Sequence, residues 1–283
     1  MRLAINYSPQ AEALAASGAV NFDLFKCPPP AWDPVVPEHA PDLLARARAV
    51  RPIYLHFPLH AGNGSLRTTD WDQAEKALAQ TGTPFINVHL QAHAQDFPDI
   101  PPDTTEAAHV HRIRDALIRD VALVTARFGP DRVIVENVVY RGADGKVLLP
   151  CVDPAVIGEV VEETGCGFLL DLAHARLTAS ALGLDAQEYT ARLPVARLRE
   201  LHVTGAQPRD GRLRDSMPMG PEDWALIEWA MGRIEGGSWE RPWATAFEYG
   251  GVGPGFEWRS EAGVIAEQLP RLKGLVTAAS APG

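Results

Sequence analysis

The stretch GFLLDLAH (167–174) decides how the fold reads. Apolar residues run without a break into Asp171, and His174 follows three places later. An unbroken apolar run suits a parallel strand covered on both faces. A carboxylate closing such a run is costly to bury unless something pairs with it, which raises the question of what meets Asp171 and His174. The same kind of run recurs along the chain: LAIN (3–6), FDLFK (22–26), IYLHF (53–57), FINVHL (85–90), VIVEN (133–137), FLLDL (168–172), LHVTG (201–205) and ATAFEY (244–249). Segments with helical signals lie between most of them. Residues 37–50 keep apolar side chains on one stripe with arginines between, and residues 109–128 are amphipathic at the helical period. Residues 69–81 open on Thr and Asp, good N-cap types, while 153–164 and 221–234 carry proline in the first turn. Strands alternating with helices imply a parallel α/β sheet. Eight such units predict closure into a (β/α)8 TIM barrel as a single domain over 1–283, with an open doubly wound sheet as the alternative. FPDIPPDT (97–104) reads as a long loop after a strand, and residues 277–283 as a frayed end.

The 283 residues carry a formal net charge of −10. Nucleic acid is therefore an unfavourable partner, because phosphate binding wants a basic face. Cys27, Cys151 and Cys166 are odd in number and widely spaced, so no disulfide framework is expected; reduced thiols point to the cytoplasm. The opening MRLAINYSPQ has no apolar signal-peptide core. No stretch approaches the ~18–20 apolar residues of a membrane span. A homo-oligomer is compatible with all of this.

Asn6, Lys26, His56, His89, Glu136, Asp171, His202 and Glu248 each sit at or near the C-terminal end of a run. In a TIM barrel those ends form the catalytic face, so imidazoles and carboxylates distant in sequence converge on one mouth. Bare carboxylates that close would repel and hold protons. A divalent metal removes the conflict, and mixed nitrogen and oxygen ligands suit zinc, manganese, iron or cobalt. Each residue also has a plainer explanation. A lone strand histidine is usually a hydrogen-bonded structural residue, Glu136 could be an ordinary salt-bridge partner, and Asp171 could cap the segment after its strand. His60 and His93 follow strand histidines by four residues and read as loop groups able to contact substrate. His39, His109 and His111 fall in helical stretches and read as surface residues. Lys26 could meet an anionic substrate, its default being a buried stem with an exposed head, and Cys27 beside it could be reactive. Trp32, Trp71, Tyr140 and Tyr249 could stack on a sugar or simply pack. GGVGPG (250–255) could cradle a phosphate, but Pro254 interrupts it and it reads as the loop after the last strand.

HFPLH (56–60), INVHLQAH (86–93), IVEN (134–137), GFLLDLAHA (167–175), ELHVTG (200–205) and TAFEYG (245–250), in this order, resemble the xylose isomerase-like TIM-barrel superfamily. The resemblance is to the branch that holds the endonuclease IV family and the multinuclear non-haem iron peptide-modifying oxygenases. It implies that Glu136, Asp171, His202 and Glu248 form the metal site shared across the superfamily. It further implies that His56 and His89, with Glu136 bridging, hold a second ion, and that His174 and Asp215 serve a third. One to three ions of manganese, zinc or iron are implied. The third site departs from the branch's Asp-x-His pattern: RDSMPMG (214–220) places Met217 where the histidine belongs. A thioether is a soft, weak ligand for a hard divalent ion, which leaves Asp215 and His174 available to bind substrate. DSMPMGPEDW (215–224) also reads as a mere turn before a helix.

The resemblance leads to several functional readings. The first is a sugar or sugar-like isomerase or epimerase, in which a metal polarises a carbonyl while Glu136 and Glu248 act as acid and base from opposite faces. Lys26, His60, His93 and Arg214 would then contact the substrate. The second is an iron oxygenase acting on a peptide or small molecule. The third is a nuclease for abasic DNA; RARAVR (46–51) precedes a strand and so lies away from the mouth, leaving Arg209, Arg212 and Arg214 as too few basic contacts for a duplex. The fourth is a metal-bearing scaffold without activity.

Overall fold

The computed structural model describes residues 1–29, 40–209, 211–253 and 255–280. The chain runs β1 (Arg2–Asn6), α1 (Pro9–Ala16), β2 (Leu24–Cys27), α2 (Ala40–Val50), β3 (Ile53–Leu55), β4 (His60–Ala61), α3 (Trp71–Thr81) and β5 (Ile86–Leu90). It continues through α4 (Ala107–Phe128), β6 (Val133–Glu136), α5 (Pro154–Thr164), β7 (Gly167–Asp171), α6 (Leu172–Leu182), α7 (Ala186–Ala191) and β8 (Leu198–Val203). Last come β9 (Gly205–Arg209), β10 (Arg212–Met217), α8 (Pro221–Glu235), β11 (Ala244–Phe247) and α9 (Ala262–Ala278). His39, Trp32 and Pro254 lie outside the described residues.

One parallel sheet has the order β3-β2-β1-β11-β8-β7-β6-β5-β4. Its two ends, β3 and β4, are consecutive in the chain and are two pieces of one barrel position. The expected strand 53–57 is thus cut at Pro58, which has no N–H for a ladder. The His56 N–H still reaches Cys27 O at 3.0 Å on one side, and the His89 N–H reaches Leu59 O at 2.8 Å on the other. Between them Asn87 stands in for backbone: its Oδ1 accepts the Phe57 N–H at 2.7 Å and its Nδ2 donates to Phe57 O at 2.9 Å. The ring closes, so the TIM barrel holds and the open sheet falls away.

The outer faces of the strands and the inner faces of the helices share one large core, whereas Ala4, Leu24, Tyr54, Ala244 and Ala246 form a separate small cluster. These five belong to alternate strand positions, one side of the pleat, and plug the barrel axis. Two residues further along β2 the same side carries Lys26, paired in register with Asn6 and Tyr54. Higher still the register sets His89 beside Glu136 and Asp171 beside His202. The interior therefore changes from alanine and leucine to ionisable groups toward the C-terminal ends.

Helix starts follow the anticipated chemistry. Asp70 and Asp153 accept N–H groups in the first turns of α3 and α5. Asp171 does cap a helix: its Oδ1 accepts the His174 N–H at 2.8 Å, and α6 begins immediately after β7. Three expectations are corrected. Of residues 215–224, read as a turn, 215–217 close an antiparallel hairpin that begins at Gly205 and 221–224 already open α8; the hairpin's strands are short and partly exposed, and Pro208 masks the alternation. Of residues 277–283, read as frayed, 277–280 are ordered, because α9 runs to Ala278 and packs Ala279 at 1% exposure, and 281–283 lie outside the described residues. Lys26 does not expose its head, being 6% exposed inside the barrel.

Candidate metal centre

Seven of the eight anticipated ligands converge with Glu136 at their hub or one step from it, and the eighth, Asp215, joins through His174. Glu136 Oε2 lies 3.1 Å from His89 Nε2 and 3.5 Å from His56 Nε2. Its Oε1 lies 3.5 Å from His174 Nδ1 and 3.9 Å from His202 Nδ1. His202 Nδ1 is 3.0 Å from Glu248 Oε1. His174 Nε2 is 3.7 Å from Asp171 Oδ2 and 3.4 Å from Asp215 Oδ2. Three overlapping triplets bring one donor atom each within 4.8 Å of one another: His56, Glu136 and His202; Glu136, Asp171 and His174; Asp171, His202 and Glu248.

The second contacts of the imidazoles fix which nitrogen carries a proton. His89 Nδ1 faces Leu59 O at 3.0 Å, so Nδ1 donates there and Nε2 turns a lone pair to Glu136. His202 Nε2 donates to Glu200 Oε1 at 2.8 Å, so Nδ1 turns a lone pair to Glu248 and Glu136. His56 Nε2 accepts from Asn87 Nδ2 at 3.2 Å and is a lone pair as well. Acceptors thus face acceptors, and Glu136 Oε2, Asp171 Oδ2 and His202 Nδ1 are buried without a hydrogen-bond partner. Buried polar atoms are rarely left in that state. A cation among them satisfies the set, and this is the physical case that the donors fit a metal.

Protonation does not remove the conflict at most of the cluster. Burial, aided by the Lys26 ammonium, holds His56 and His202 well below the ordinary histidine range, and burial brings His89 down to about 4. Burial lifts Asp171 to about 6 and raises Glu136 as well. His174 behaves oppositely. Burial opposes its charge, but Asp171, Asp215 and Glu136 outweigh burial and raise it to about 10. Asp215, despite burial, is held well below the carboxylate range by His174. A β-bulge between Arg214 and Met217, with Ser216 at φ 54, aims Asp215 at that imidazole.

Several supporting groups were hidden in the sequence. Glu200 precedes His202 by two residues and so shares its side of β8; that spacing was the available signal. Tyr54 Oη donates to Glu200 at 2.7 Å, and burial brings the Glu200 carboxyl up to about 7. Asn137 clamps Asp171 through both backbone groups, at 2.8 and 2.9 Å, and its carbonyl faces His174 Nδ1 at 2.9 Å. Lys26 Nζ contacts Glu248 directly; burial lowers its pKa to about 8 against the pull of Glu136, Glu200 and Asp171.

The proposed substrate contacts divide. Two clefts flank the cluster and share His89. One, of about 860 Å³, is lined by His93, Tyr140 and His174 among others. The other, of about 310 Å³, is lined by Lys26, His56, His60 and Glu248. His93 pairs with Gln91 Nε2 at 2.6 Å. Arg214 lines neither cleft and sits opposite Gln207 in the hairpin. Trp71 donates to Leu66 O and packs on Phe128, and Tyr249 is fully buried against Phe247, so both are packing residues. Cys27 is buried and its thiol is pushed up by that burial, which makes it no nucleophile. The three cysteines are free.

The family model for the RiPP precursor modification enzyme MbnB/TglH/ChrH matches residues 31–241. The chain belongs to this family. The matched span of the MbnB/TglH/ChrH family holds every candidate ligand except Glu248, and it begins after Lys26. A UPF0276 protein of Rhizorhabdus wittichii is 26% identical over 203 residues, covering 68% of this chain and 69% of that one. A second, from Bordetella parapertussis, is 36% identical but aligned over 43% of this chain and 42% of its own. Among solved structures, a D-tagatose 3-epimerase-like protein superposes with a TM-score of 0.59 at 12% identity, over 99% of this chain and 98% of that one. A family 2 AP endonuclease from Brucella melitensis superposes at 0.53 with 14% identity, covering 95% and 99%. These likenesses share the TIM-barrel fold, and the family matched over residues 31–241 is one of modification enzymes. Among the described residues no helix is long and apolar enough to cross a membrane.

Proposed function

We propose that this chain is a metal-dependent enzyme that modifies a ribosomally made peptide, with iron as its metal, in the cytoplasm. The observation that carries the reading is the set of buried atoms without a hydrogen-bond partner, Glu136 Oε2, Asp171 Oδ2 and His202 Nδ1, in a chain of the MbnB/TglH/ChrH family. Family membership moves the peptide-modifying alternative ahead of sugar isomerisation. His56, His89, Glu136 and His202 would hold one ion, and Glu136, Asp171 and His174 a second. Bound iron would supply Lewis acidity and a redox couple for dioxygen chemistry.

The protein's own contribution is placement. Glu200 accepts a hydrogen bond from His202 Nε2–H and so commits Nδ1 to the centre. Asn137 holds Asp171 and the His174 ring in fixed orientation. Lys26 Nζ pairs with Glu248 inside a barrel whose alanine and leucine plug excludes water from below. Met217 brings no good ligand to the site of His174 and Asp215, and the Lys26 ammonium already sits against Glu248 of the triplet Asp171, His202 and Glu248; both favour two ions over three. The smaller cleft supports a second reading, a small-molecule isomerase with Glu248 on its wall, because its volume suits a sugar-sized ligand.

Anaerobic purification with ferrous iron tests this reading. The expected result is two irons per chain and an oxygen-dependent mass change in a co-expressed precursor peptide. One manganese per chain, interconversion of ketohexose epimers and an unaltered peptide would replace this reading with the isomerase.

A further inference from the structure

The larger cleft has a wall that the metal centre does not use. In the hairpin, Leu213 stands opposite Pro208. Proline has no N–H, so this pair cannot exchange backbone bonds; the flanking pairs Arg212–Arg209 and Arg214–Gln207 are the bonding ones. The Leu213 N–H and C=O therefore turn away from β9. The carbonyl can be followed directly, because Arg141 Nη1 donates to it at 3.0 Å from across the cleft. Arg212 and Leu213 both line the cleft, so a strand edge opens onto it.

The edge is held firmly. Asp223 Oδ1 accepts the Ala206 N–H at 3.1 Å, and Arg176 donates to Ala206 O at 2.8 Å, tying β9 to α8 and α6. At Gly205 an added Cβ would lie 2.0 Å from Pro218 O, so the two strands meet too closely there for any side chain. One end of the cleft is His89 and His174, both at the metal centre. Among the described residues its rim carries exposed Arg141, Lys146 and Arg212 against one carboxylate, Asp144, a locally basic strip on a chain of net charge −10.

We propose that the outer edge of β10 docks the substrate peptide as an added strand, selecting an extended, carboxylate-rich segment and leading the residue to be modified toward His89 and His174. This rests on the peptide-modifying reading. An incoming peptide N–H takes the place of Arg141 at Leu213 O, and the released guanidinium meets a peptide carboxylate. Main-chain bonds then give affinity, and the strip of cations gives the charge preference.

The test uses the full chain and a fluorescein-labelled dodecapeptide of alternating Glu and Val, read by anisotropy at low salt. The Lys and Val counterpart, and a Glu and Val peptide N-methylated at alternate residues, are each expected to bind at least about tenfold more weakly. The double variant Lys146→Glu with Arg212→Glu, both exposed, is expected to lose a similar factor while melting as the parent does. Equal binding of the N-methylated peptide removes strand pairing, and equal binding of the lysine peptide removes charge selection. Unchanged binding by the double variant removes this location. Binding needs neither turnover nor iron. A chain that binds the acidic peptide but never holds iron therefore overturns the function alone, and a variant that modifies precursor with unaltered KM overturns the docking edge alone.

Discussion

Glu136→Gln separates the cost of building the centre from the gain of filling it. In the metal-free chain Glu136 is buried, its Oε2 faces imidazole lone pairs, and burial raises its pKa. A carboxyl with a raised folded pKa lowers stability above its ordinary value of 4.5 and stops doing so once pH falls below it. Glutamine removes the charge and offers N–H donors to those lone pairs. Relief of one unsatisfied buried group is worth about 1–3 kcal/mol. For 283 residues the unfolding entropy is about 0.6 kcal/mol per degree, so the EDTA-treated variant should melt about 2–5 °C above the parent. Metal should act oppositely. At a concentration of about 100 Kd, one ion adds about 2.7 kcal/mol, an upward shift of about 4–5 °C in the parent. The variant, missing the shared ligand of two triplets, should shift by less than about 1 °C. Scanning calorimetry with EDTA and with ferrous or manganous ion, alongside elemental analysis, reads both numbers. A variant that is no more stable without metal, yet gains as much from it as the parent and retains full occupancy, would refute Glu136 as the hub.

Glu200→Gln leaves the His202 tautomer unfixed, and metal affinity should fall about 10–100-fold with little loss of fold, measured by competition with a chelating dye. Unaltered affinity would remove Glu200 as the orienting group. Lys26→Met withdraws the cation beside Glu248, and elemental analysis should then find one further ion per chain, at the triplet of Asp171, His202 and Glu248; an unchanged count would show that the ammonium was not standing in for a metal. Asp23 accepts the Leu3 N–H at 2.7 Å and Lys273 Nζ at 2.9 Å, and these bonds hold its pKa below 3.8 against burial. Its contribution is present above pH 3.8 and fades as pH falls through the lowered value. Asp23→Asn should cost about 0.5–1 kcal/mol at neutral pH, an amount limited by solvent exposure, and should flatten stability against pH below 4 in urea melts.

The strand ends that supply the candidate ligands were legible because buried parallel strands cannot hide a charge: VIVEN and FLLDL announce Glu136 and Asp171 by contrast with their neighbours. The pleat was less legible. Leu24 and Lys26 share one side of β2, as do Glu200 and His202 on β8, and the alternation alone would have sent Lys26 and Glu200 inward. Reading Lys26 as a lysine with an exposed head followed residue type over register. The broken strand at Pro58 escaped for another reason. Its repair comes from Asn87, a side chain some thirty residues later, and no local pattern shows that Asn87 replaces a ladder bond. The hairpin of 205–217 carries two prolines and a bulge within or beside it, so its alternation never becomes periodic enough to read.

The placement of the centre follows from the plug beneath it. Ala4, Ala244 and Ala246 are small enough that Tyr54 can lie in the barrel axis among them. Its ring belongs to the apolar layer and its hydroxyl reaches Glu200, whose carboxylate accepts the His202 Nε2–H. Packing therefore decides which nitrogen of His202 is bare, through a chain of two hydrogen bonds. A larger side chain at any of the three alanines would crowd Tyr54 before it touched a ligand. The polar mouth is thus not an addition to a finished barrel. The residues that fill the bottom set the proton positions at the top, and the proton positions leave buried lone pairs without a donor, which a cation would satisfy.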